Sequence, residues 1–312
     1  MTSVAFIGLG RMGGHMCANV VAAGFQVAAY DVAADTIARA AQRGARPAES
    51  MADCLAGAEV LVTSLPGPPE VLDVLCGDGG AIASLPPGAL VIDTSTSSLQ
   101  VSRLAQEQAR AAGVQLIDAP VAGQTIGAHA GTLAVYVGGE PAAFERALPI
   151  LNAIGDPRRI RHVGPAGCGL AVKLLLNLLW FVQSVAVAEA LTVGVRAGVA
   201  LEDLHAALVD SPAGSVFLER DVVPLLTDGD YDEGFVMRLV TKDLGLAVDL
   251  ARDVGVPVEL SSLVEQIHRR ARAAFGDGAG ELSAMRLYEE LAGLQLRFAP
   301  PDRPSADPPH RS

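Results

Sequence analysis

The chain of 312 residues has almost no lysine. Of its 23 basic residues only Lys173 and Lys242 are not arginine. Positive charge is also short overall, with a formal net charge of −12. That balance argues against a nucleic-acid partner, because phosphate neutralisation needs a basic face. The local runs "RRIR" (158–161) and "HRRAR" (268–272) read as solvated faces or subunit contacts. The four cysteines, at 17, 54, 76 and 168, form no CxxC pair. They therefore suggest neither a metal site nor a disulfide framework, and a reducing, cytoplasmic setting is expected. The six histidines show no HxxxH or HExxH spacing, so no metal is expected. No signal peptide is expected, since "MTSVAFIGLG" runs straight into a strand pattern. The most apolar stretch, 170–188, carries Lys173, Asn177 and Gln183, which a membrane span would rarely tolerate.

Half of the residues are hydrophobic and 19% are charged, the profile of a globular chain long enough for two domains. The first half alternates. Short apolar runs at 4–8, 26–30, 60–64, 90–93, 114–118 and 133–139 predict strands, with a further short one at 159–163. Alanine-rich segments between them, at 12–23, 33–43, 68–76, 99–112 and 141–154, predict helices. This is the pattern of an α/β domain, a Rossmann-type parallel sheet with helices on both faces. Beyond 164 strand signals stop. A proline-free helical pattern over 167–197 predicts a long helix joining two domains. Helices are predicted near 201–210, 215–226, 235–253, 257–275 and 281–295. The reading is therefore a dinucleotide-binding domain over 1–163, an all-α C-terminal domain over 164–297, and a Pro-rich, disordered tail over 298–312.

The segment "VAFIGLGRMGGHM" holds Gly8, Gly10 and Gly13 in the spacing G-x-G-x-x-G, after a strand and at the start of a helix. That context turns a weak motif into a dinucleotide signature. Gly8 permits the tight turn, Gly10 lets backbone approach a pyrophosphate, and Gly13 lets helix and strand pack closely. The helix N-terminus then offers N–H groups and partial positive charge to the anion. Asp31 ends the second strand, placed to bond the ribose hydroxyls of NAD and to repel a 2′-phosphate. Val32 follows it rather than arginine. NAD is expected as the preferred cofactor, with NADP possible.

Lys173 and Asn177 lie four residues apart on the long helix and share a face. Arginine holds its proton at every relevant pH, whereas a lysine can release one when burial lowers its pKa. A group that must exchange a proton with a carbonyl oxygen during hydride transfer needs that property. Asn177 brings one donor and one acceptor, suited to a substrate oxygen or to the lysine itself. The alternative for Lys173 is a side chain that snorkels to water from a helix edge. Lys242 follows Phe235 by seven residues, two turns along the same face if the helix is continuous. Lys242 can serve a cofactor or substrate anion, or form a salt bridge with Asp243 or Asp249.

Four blocks, in order, are "FIGLGRMGGHMCANV" (6–20), "DAPVAGQTIGAHAGTL" (118–133), "GCGLAVKLLLN" (167–177) and "KDLGLA" (242–247). Together they resemble the β-hydroxyacid dehydrogenase family, the group around 3-hydroxyisobutyrate dehydrogenase and tartronate semialdehyde reductase. The resemblance spans about residues 3–295. It implies an NAD(P)-dependent oxidoreductase that passes a hydride between nicotinamide and a 3-hydroxy acid or related alcohol. Gly8, Leu9, Gly10, Arg11, Met12 and Gly13 would cradle the cofactor, and Asp31 would hold its adenosine ribose. Leu65 and Pro66 would line its path, and Thr96 would lie by the nicotinamide. Lys173 would be the acid/base, with Asn177 as its partner. Gly123 would bind the substrate carboxylate through its backbone, and Phe235 and Lys242 would close the site from the α-domain. A small anionic substrate and a homodimer or homotetramer are also implied.

One block departs from the family, whose loop reads D-A-P-V-S-G-G where this chain has D-A-P-V-A-G-Q. Ala122 stands for a serine hydroxyl that would bond the carboxylate, and Gln124 adds bulk where a glycine is usual. The change points to a specialised substrate or to neutral variation. His129, in the same block, is expected to be an exposed helix residue. Imine reduction on the same scaffold is an alternative, although those relatives carry aspartate or tyrosine where Lys173 stands. A 6-phosphogluconate-type decarboxylation fits less well without the S-G-G loop. A non-catalytic cofactor-binding scaffold is a third reading, against which the retained lysine argues.

Overall fold

The computed structural model describes residues 2–232 and 234–298. Two compact units divide it, one of Met1–Leu178 with Lys242–Ser261, the other of Leu179–Thr241 with the described residues from Ser262. The sequence boundary at 163/164 instead falls where the sheet ends. The first part of the long helix and the segment from Lys242 belong with the sheet. Of the predicted tail, residues 299–312 lie outside the described residues.

The first unit begins β1 (Ser3–Ile7), α1 (Gly13–Ala22), β2 (Gln26–Tyr30), α2 (Ala34–Gln42) and β3 (Arg46–Pro47). It continues α3 (Met51–Leu55), β4 (Val60–Thr63), α4 (Pro68–Cys76), α5 (Ala81–Ser84), β5 (Leu90–Asp93), α6 (Leu99–Ala112) and β6 (Gln115–Asp118). Then follow β7 (Val121–Ala122), α7 (Gln124–Ala130), β8 (Leu133–Gly138), α8 (Pro141–Ile154) and β9 (Gly155–Gly164). The strand order is β3-β2-β1-β4-β5-β6-β8-β7, with β9 on β8. Side chains alternate across it as strand geometry requires. Val4, Phe6, Val60, Val62 and Ile92 face a core with Met16, Val20, Ile150 and Leu151. Ala5, Ile7, Leu61 and Val91 face the other core, with Val71, Leu75, Ile82 and Ala105. Each fully buried Val, Leu or Ile contributes roughly 1.5–3 kcal/mol.

The parallel sheet expected from the alternation runs from β3 to β6 and stops there. β8 returns antiparallel to both β6 and β7, and β9 then runs parallel to β8. β7 spans two residues, so no periodicity announced it, and the same holds for β3. β9 is longer than the strand expected at 159–163. Its Arg158, Arg159 and Arg161 are exposed on an edge strand, where charge discourages pairing with another chain. All four cysteines are free. Burial raises the Cys17 and Cys54 thiols to about 12 and about 11, which makes both poor nucleophiles.

The long helix is α9 (Cys168–Arg196). By length and composition it could cross a membrane, and 28% of its most apolar window is buried. It stops at Gly198, whose φ of +93 suits a left-handed cap. The second unit carries the end of α9, then α10 (Leu201–Val209), a π-helical turn at Phe217–Asp221 and α11 (Val223–Asp228). The single helix expected over 215–226 is broken because Pro224 cannot continue a preceding turn and sits instead at a helix start. Beyond lie α12 (Met237–Asp253), α13 (Glu259–Phe275) and α14 (Ser283–Ala292), with α12 and α13 running from one unit into the other. Phe217, Leu218, Leu225, Leu226 and Met285 form the core of this unit. Trp180 stacks edge-on with Phe217 and donates from Nε1 to Asp221 at 2.9 Å.

The run at 268–272 is not wholly solvated. His268 is fully buried, donates from Nδ1 to the Val264 carbonyl, and leaves Nε2 without a partner. Burial lowers its pKa from 6.5 to about 4. The folded state thus resists a proton that the unfolded chain accepts below about 6.5. Stability is present above that pH and is lost as the pH falls toward about 4, by an amount on the order of 3 kcal/mol. Thermal melts should therefore fall between pH 7 and pH 4.5. A His268→Leu protein should lose less over the same range, and equal losses would contradict the assignment.

Candidate active site

The C-terminal ends of β1, β2, β4 and β5 meet where strand order reverses on either side of β1, the usual place for a ligand in an open α/β sheet. The glycine turn lies there. A Cβ on Gly8 (φ +93) would sit 2.3 Å from the Ser64 carbonyl oxygen, and one on Gly13 would sit 2.0 Å from the Gly8 oxygen. Both contacts are with backbone, so neither position accepts a side chain. Gly10 is different, since a Cβ there would meet no protein atom within 4 Å. Its bare backbone is kept for something other than protein packing. At the start of α1, Met12 gives no side-chain cap and no acid stands in the first turn. The helix end therefore keeps its attraction for an anion.

Asp31 holds this turn from the side. Its Oδ2 accepts the Leu9 N–H at 2.6 Å and its Oδ1 the Ala33 N–H at 2.9 Å. A carboxylate offers about four acceptor positions, so ribose hydroxyls can still be bonded. Val32 beside it is 95% exposed and brings no charge. Arg11 and Pro66 are exposed, and Met12 and Leu65 are half-buried. The Leu65 N–H donates to Ser95 Oγ at 2.9 Å, which ties the β4 loop to the β5 loop. These residues fit a dinucleotide: two glycines closed by backbone, one open, and an acid, Asp31, bonded to the turn.

Thr96, in the β5 loop, uses its carbonyl to accept from Lys242 Nζ at 2.9 Å. The lysine stem passes Gly67, where a Cβ would lie 3.1 Å from its Cδ. Lys242 Nζ also lies 2.9 Å from Asp243 Oδ1, an ion pair without hydrogen-bond alignment. Asp243 is buried at 2% side-chain exposure. Its Oδ2 accepts from Asn177 Nδ2 at 2.7 Å, and Asn177 Oδ1 accepts from Lys173 Nζ at 3.1 Å. The order is forced. A carboxylate can only accept and an ammonium can only donate, so the amide between them has one orientation. Lys173 and Asn177 thus share a face as expected, and Thr96 joins them through Lys242 and Asp243.

Lys242 was expected from an α-domain. It lies in the compact unit that holds the sheet, and the ion pair with Asp243 is present. The expectation that Phe235 shares a helical face with Lys242 fails. α12 begins only at Met237, and Phe235 precedes it in the second unit. Neighbouring Val236 is drawn into a bridge with Gly280. Asp243 was considered only as a salt-bridge partner. Its place beside Lys242 was visible, but its reach to Asn177, 66 residues away, was not.

The loop after β6 is built from Ala122, Gly123 and Gln124. Ala122 pairs with Ala134 in the sheet. Gly123 has φ +132, and a Cβ there would crowd Leu133 at 3.2 Å. Gln124 has φ +55, the left-handed region where glycine is at ease and a longer side chain is strained. That is the physical reason for the glycine expected at this place. His129 is exposed on α7, its ring 5.1 Å from that of His15.

Residues 3–164 match the NAD binding domain of 6-phosphogluconate dehydrogenase. Residues 167–288 match a second family described as NAD-binding of NADP-dependent 3-hydroxyisobutyrate dehydrogenase. The chain belongs to the β-hydroxyacid dehydrogenase family. It is an NAD(P)-dependent hydroxyacid dehydrogenase. It is 35% identical to 2-(hydroxymethyl)glutarate dehydrogenase of Eubacterium barkeri, over 94% of this chain and 97% of that one. To 3-hydroxyisobutyrate dehydrogenase of Pseudomonas aeruginosa it is 36% identical, over 92% and 99%. Among solved structures, 3-hydroxyisobutyrate dehydrogenase of Mycobacterium tuberculosis with L-serine superposes with a TM-score of 0.85 at 32% identity, covering 92% and 99%.

Proposed function

We propose that this dehydrogenase interconverts a 3-hydroxy acid and its semialdehyde or oxo form, with NAD preferred over NADP and Lys173 as proton donor and acceptor. The observation that carries this is the chain Lys173–Asn177–Asp243 within the same compact unit as the glycine turn. The nicotinamide cofactor supplies the hydride. Gly8 to Gly13 and the start of α1 would hold its phosphates, and Asp31 its adenosine ribose. An uncharged Val32 gives a 2′-phosphate no partner, which supports NAD.

The proton is the protein's task. In the reducing direction Lys173 donates from Nζ to the carbonyl oxygen as charge develops there, and in reverse it takes the proton back. Asn177 Oδ1 accepts one Lys173 N–H, which restrains the amine. Asp243 keeps the amide in that orientation. The names of the three relatives above give 2-(hydroxymethyl)glutarate, 3-hydroxyisobutyrate and L-serine. All three are primary alcohols β to a carboxylate, and we propose that class as substrate. Backbone N–H groups around Gly123 would meet the carboxylate.

The test is NADH and NADPH oxidation by the wild type against semialdehydes, 3-oxo acids and cyclic imines. Turnover of a semialdehyde or 3-oxo acid with NADH is expected. Turnover of cyclic imines alone would overturn the substrate reading, and turnover with NADPH alone the cofactor reading.

Ala122→Ser should restore a hydroxyl toward the carboxylate. One hydrogen bond to a charged group contributes about 1.5–3 kcal/mol, so KM for a small hydroxy acid should fall roughly ten- to a hundredfold at similar kcat. An unchanged KM would mean that position 122 does not touch the carboxylate. We also propose that the chain self-associates. Leu175, Leu176 and Leu179 of α9 are exposed at 51%, 37% and 59%, an apolar face that a second copy would cover. A monomer by light scattering would contradict this.

A further inference from the structure

One buried carboxylate joins the substrate loop to the helix that carries Lys173. Asp118 is the last residue of β6, 1% exposed, and is the residue of β6 that pairs with β8, at Gly138. Its Oδ1 accepts the Gly167 N–H at 2.6 Å and its Oδ2 the Leu170 N–H at 2.9 Å. The two oxygens therefore serve the start of α9, Gly167 just before it and Leu170 in its first turn. Space is cleared for them. A Cβ on Gly138 would lie 2.6 Å from Oδ1, and one on Gly169 would lie 2.8 Å from Oδ2. Two positions without side chains let a charged group sit between a strand and a helix.

Asp118 also begins the loop. Ala119 donates its N–H to the Asp93 carbonyl at 2.7 Å, and the Pro120 carbonyl accepts from Tyr136 N–H at 3.2 Å. Val121, Ala122, Gly123 and Gln124 follow directly. On the helix, Lys173 comes three residues after Leu170 and four after Gly169, on the same face. A movement of this first turn moves the amine with it.

We propose that Asp118 is a positioning residue for Lys173: it ties the first turn of α9 to the strand end from which the substrate loop departs, and so sets the amine against the substrate. The proposal rests on the reading of Lys173 as the acid/base. The carboxylate is required because two N–H donors face it. An asparagine would supply one acceptor and turn an N–H of its own toward the other donor. The negative charge also suits the N-terminus of a long helix. Asp118 holds this place despite a cost. Burial pushes its carboxyl up to about 6, against the two N–H bonds that lower it, and the charge of Asp93 on the adjoining strand adds to the rise.

The experiment compares the wild type with Asp118→Asn, Asp118→Ala, Lys173→Met and the double variant Lys173→Met with Asp118→Asn. Rates with the best semialdehyde are expressed per NADH-binding site, and NADH affinity is read by fluorescence. A displacement near 1 Å costs up to about a hundredfold, so Asp118→Asn should lower kcat by roughly ten- to a hundredfold at nearly unchanged NADH affinity. In the Lys173→Met background the same change should have little further effect on rate, because residues that act as a unit are not additive. Asp118→Ala carries no buried charge, and it gives the same reading if the asparagine variant does not fold. A wild-type kcat in both Asp118 variants overturns the proposal and leaves Lys173 in its role. A full extra loss on top of Lys173→Met also overturns it, since Asp118 would then act elsewhere. Wild-type turnover in Lys173→Met overturns the acid/base reading and this proposal with it.

Discussion

Lys173→Arg and Lys173→Met should each lower kcat by about a thousandfold or more, within the range of general acid–base effects, while NADH affinity stays unchanged. The arginine variant is the sharper of the two. It keeps the positive charge and can still donate a hydrogen bond, but it does not release its proton. If charge alone mattered at this position, arginine would rescue. A chain whose other cations, apart from Lys242, are all arginine would then have no reason to place a lysine between apolar residues. Asn177 Oδ1 holds the amine at 3.1 Å, a geometry that a forked guanidinium of greater length cannot share without displacing the amide. Single-turnover measurement separates this loss from any change in binding. Equal kcat for wild type and Lys173→Arg would show that no proton passes through residue 173.

The glycine turn makes the second large prediction, and it is a contrast. Gly13→Ala places a methyl 2.0 Å from the Gly8 oxygen, which is backbone and cannot swing aside. Overpacking of this kind costs about 3 kcal/mol or more, and the variant should melt lower or fail to accumulate. Gly10→Ala adds the same methyl where no protein atom lies within 4 Å. It should melt like the wild type yet bind NADH roughly a hundredfold less tightly, about 2.7 kcal/mol, because the methyl fills space meant for the pyrophosphate. Melting curves and NADH titrations on the two variants check this. Equal NADH affinity for Gly10→Ala and wild type would place the dinucleotide elsewhere.

Much of this was legible in the sequence because its causes are local. The roles of Gly8, Gly10 and Gly13 follow from turn geometry, which three residues determine. Lys173 and Asn177 meet because a helix brings i and i+4 together. Strands β1, β2, β4, β5 and β6 are each a few apolar residues between turn signals, and they appear within a residue or two of their expected bounds. What stayed hidden depends on distance in the chain. Asp243 reaches Asn177 across 66 residues, and Asp118 reaches Leu170 across 52. No spacing rule reports such pairs. A helix was expected from 235, which would put Phe235 two turns before Lys242, although α12 begins two residues later. The antiparallel return of β8 is set by a two-residue strand and the Asp118–Gly138 pair, too short to leave a pattern. His268 lies in a run read as a solvated face or a subunit contact, yet one face of α13 buries it against Phe181.

The reaction can be followed through a single transferred atom. The wild type is supplied with NADH carrying deuterium at the transferable C4 position, together with a semialdehyde of a 3-hydroxy acid, and the product is analysed by mass spectrometry and NMR. One deuterium is expected on the carbon that bears the new hydroxyl, with transfer slowed about a thousandfold in Lys173→Met. NADH that binds without passing deuterium to any semialdehyde or 3-oxo acid, or passes it only to the carbon of a cyclic imine, would contradict it.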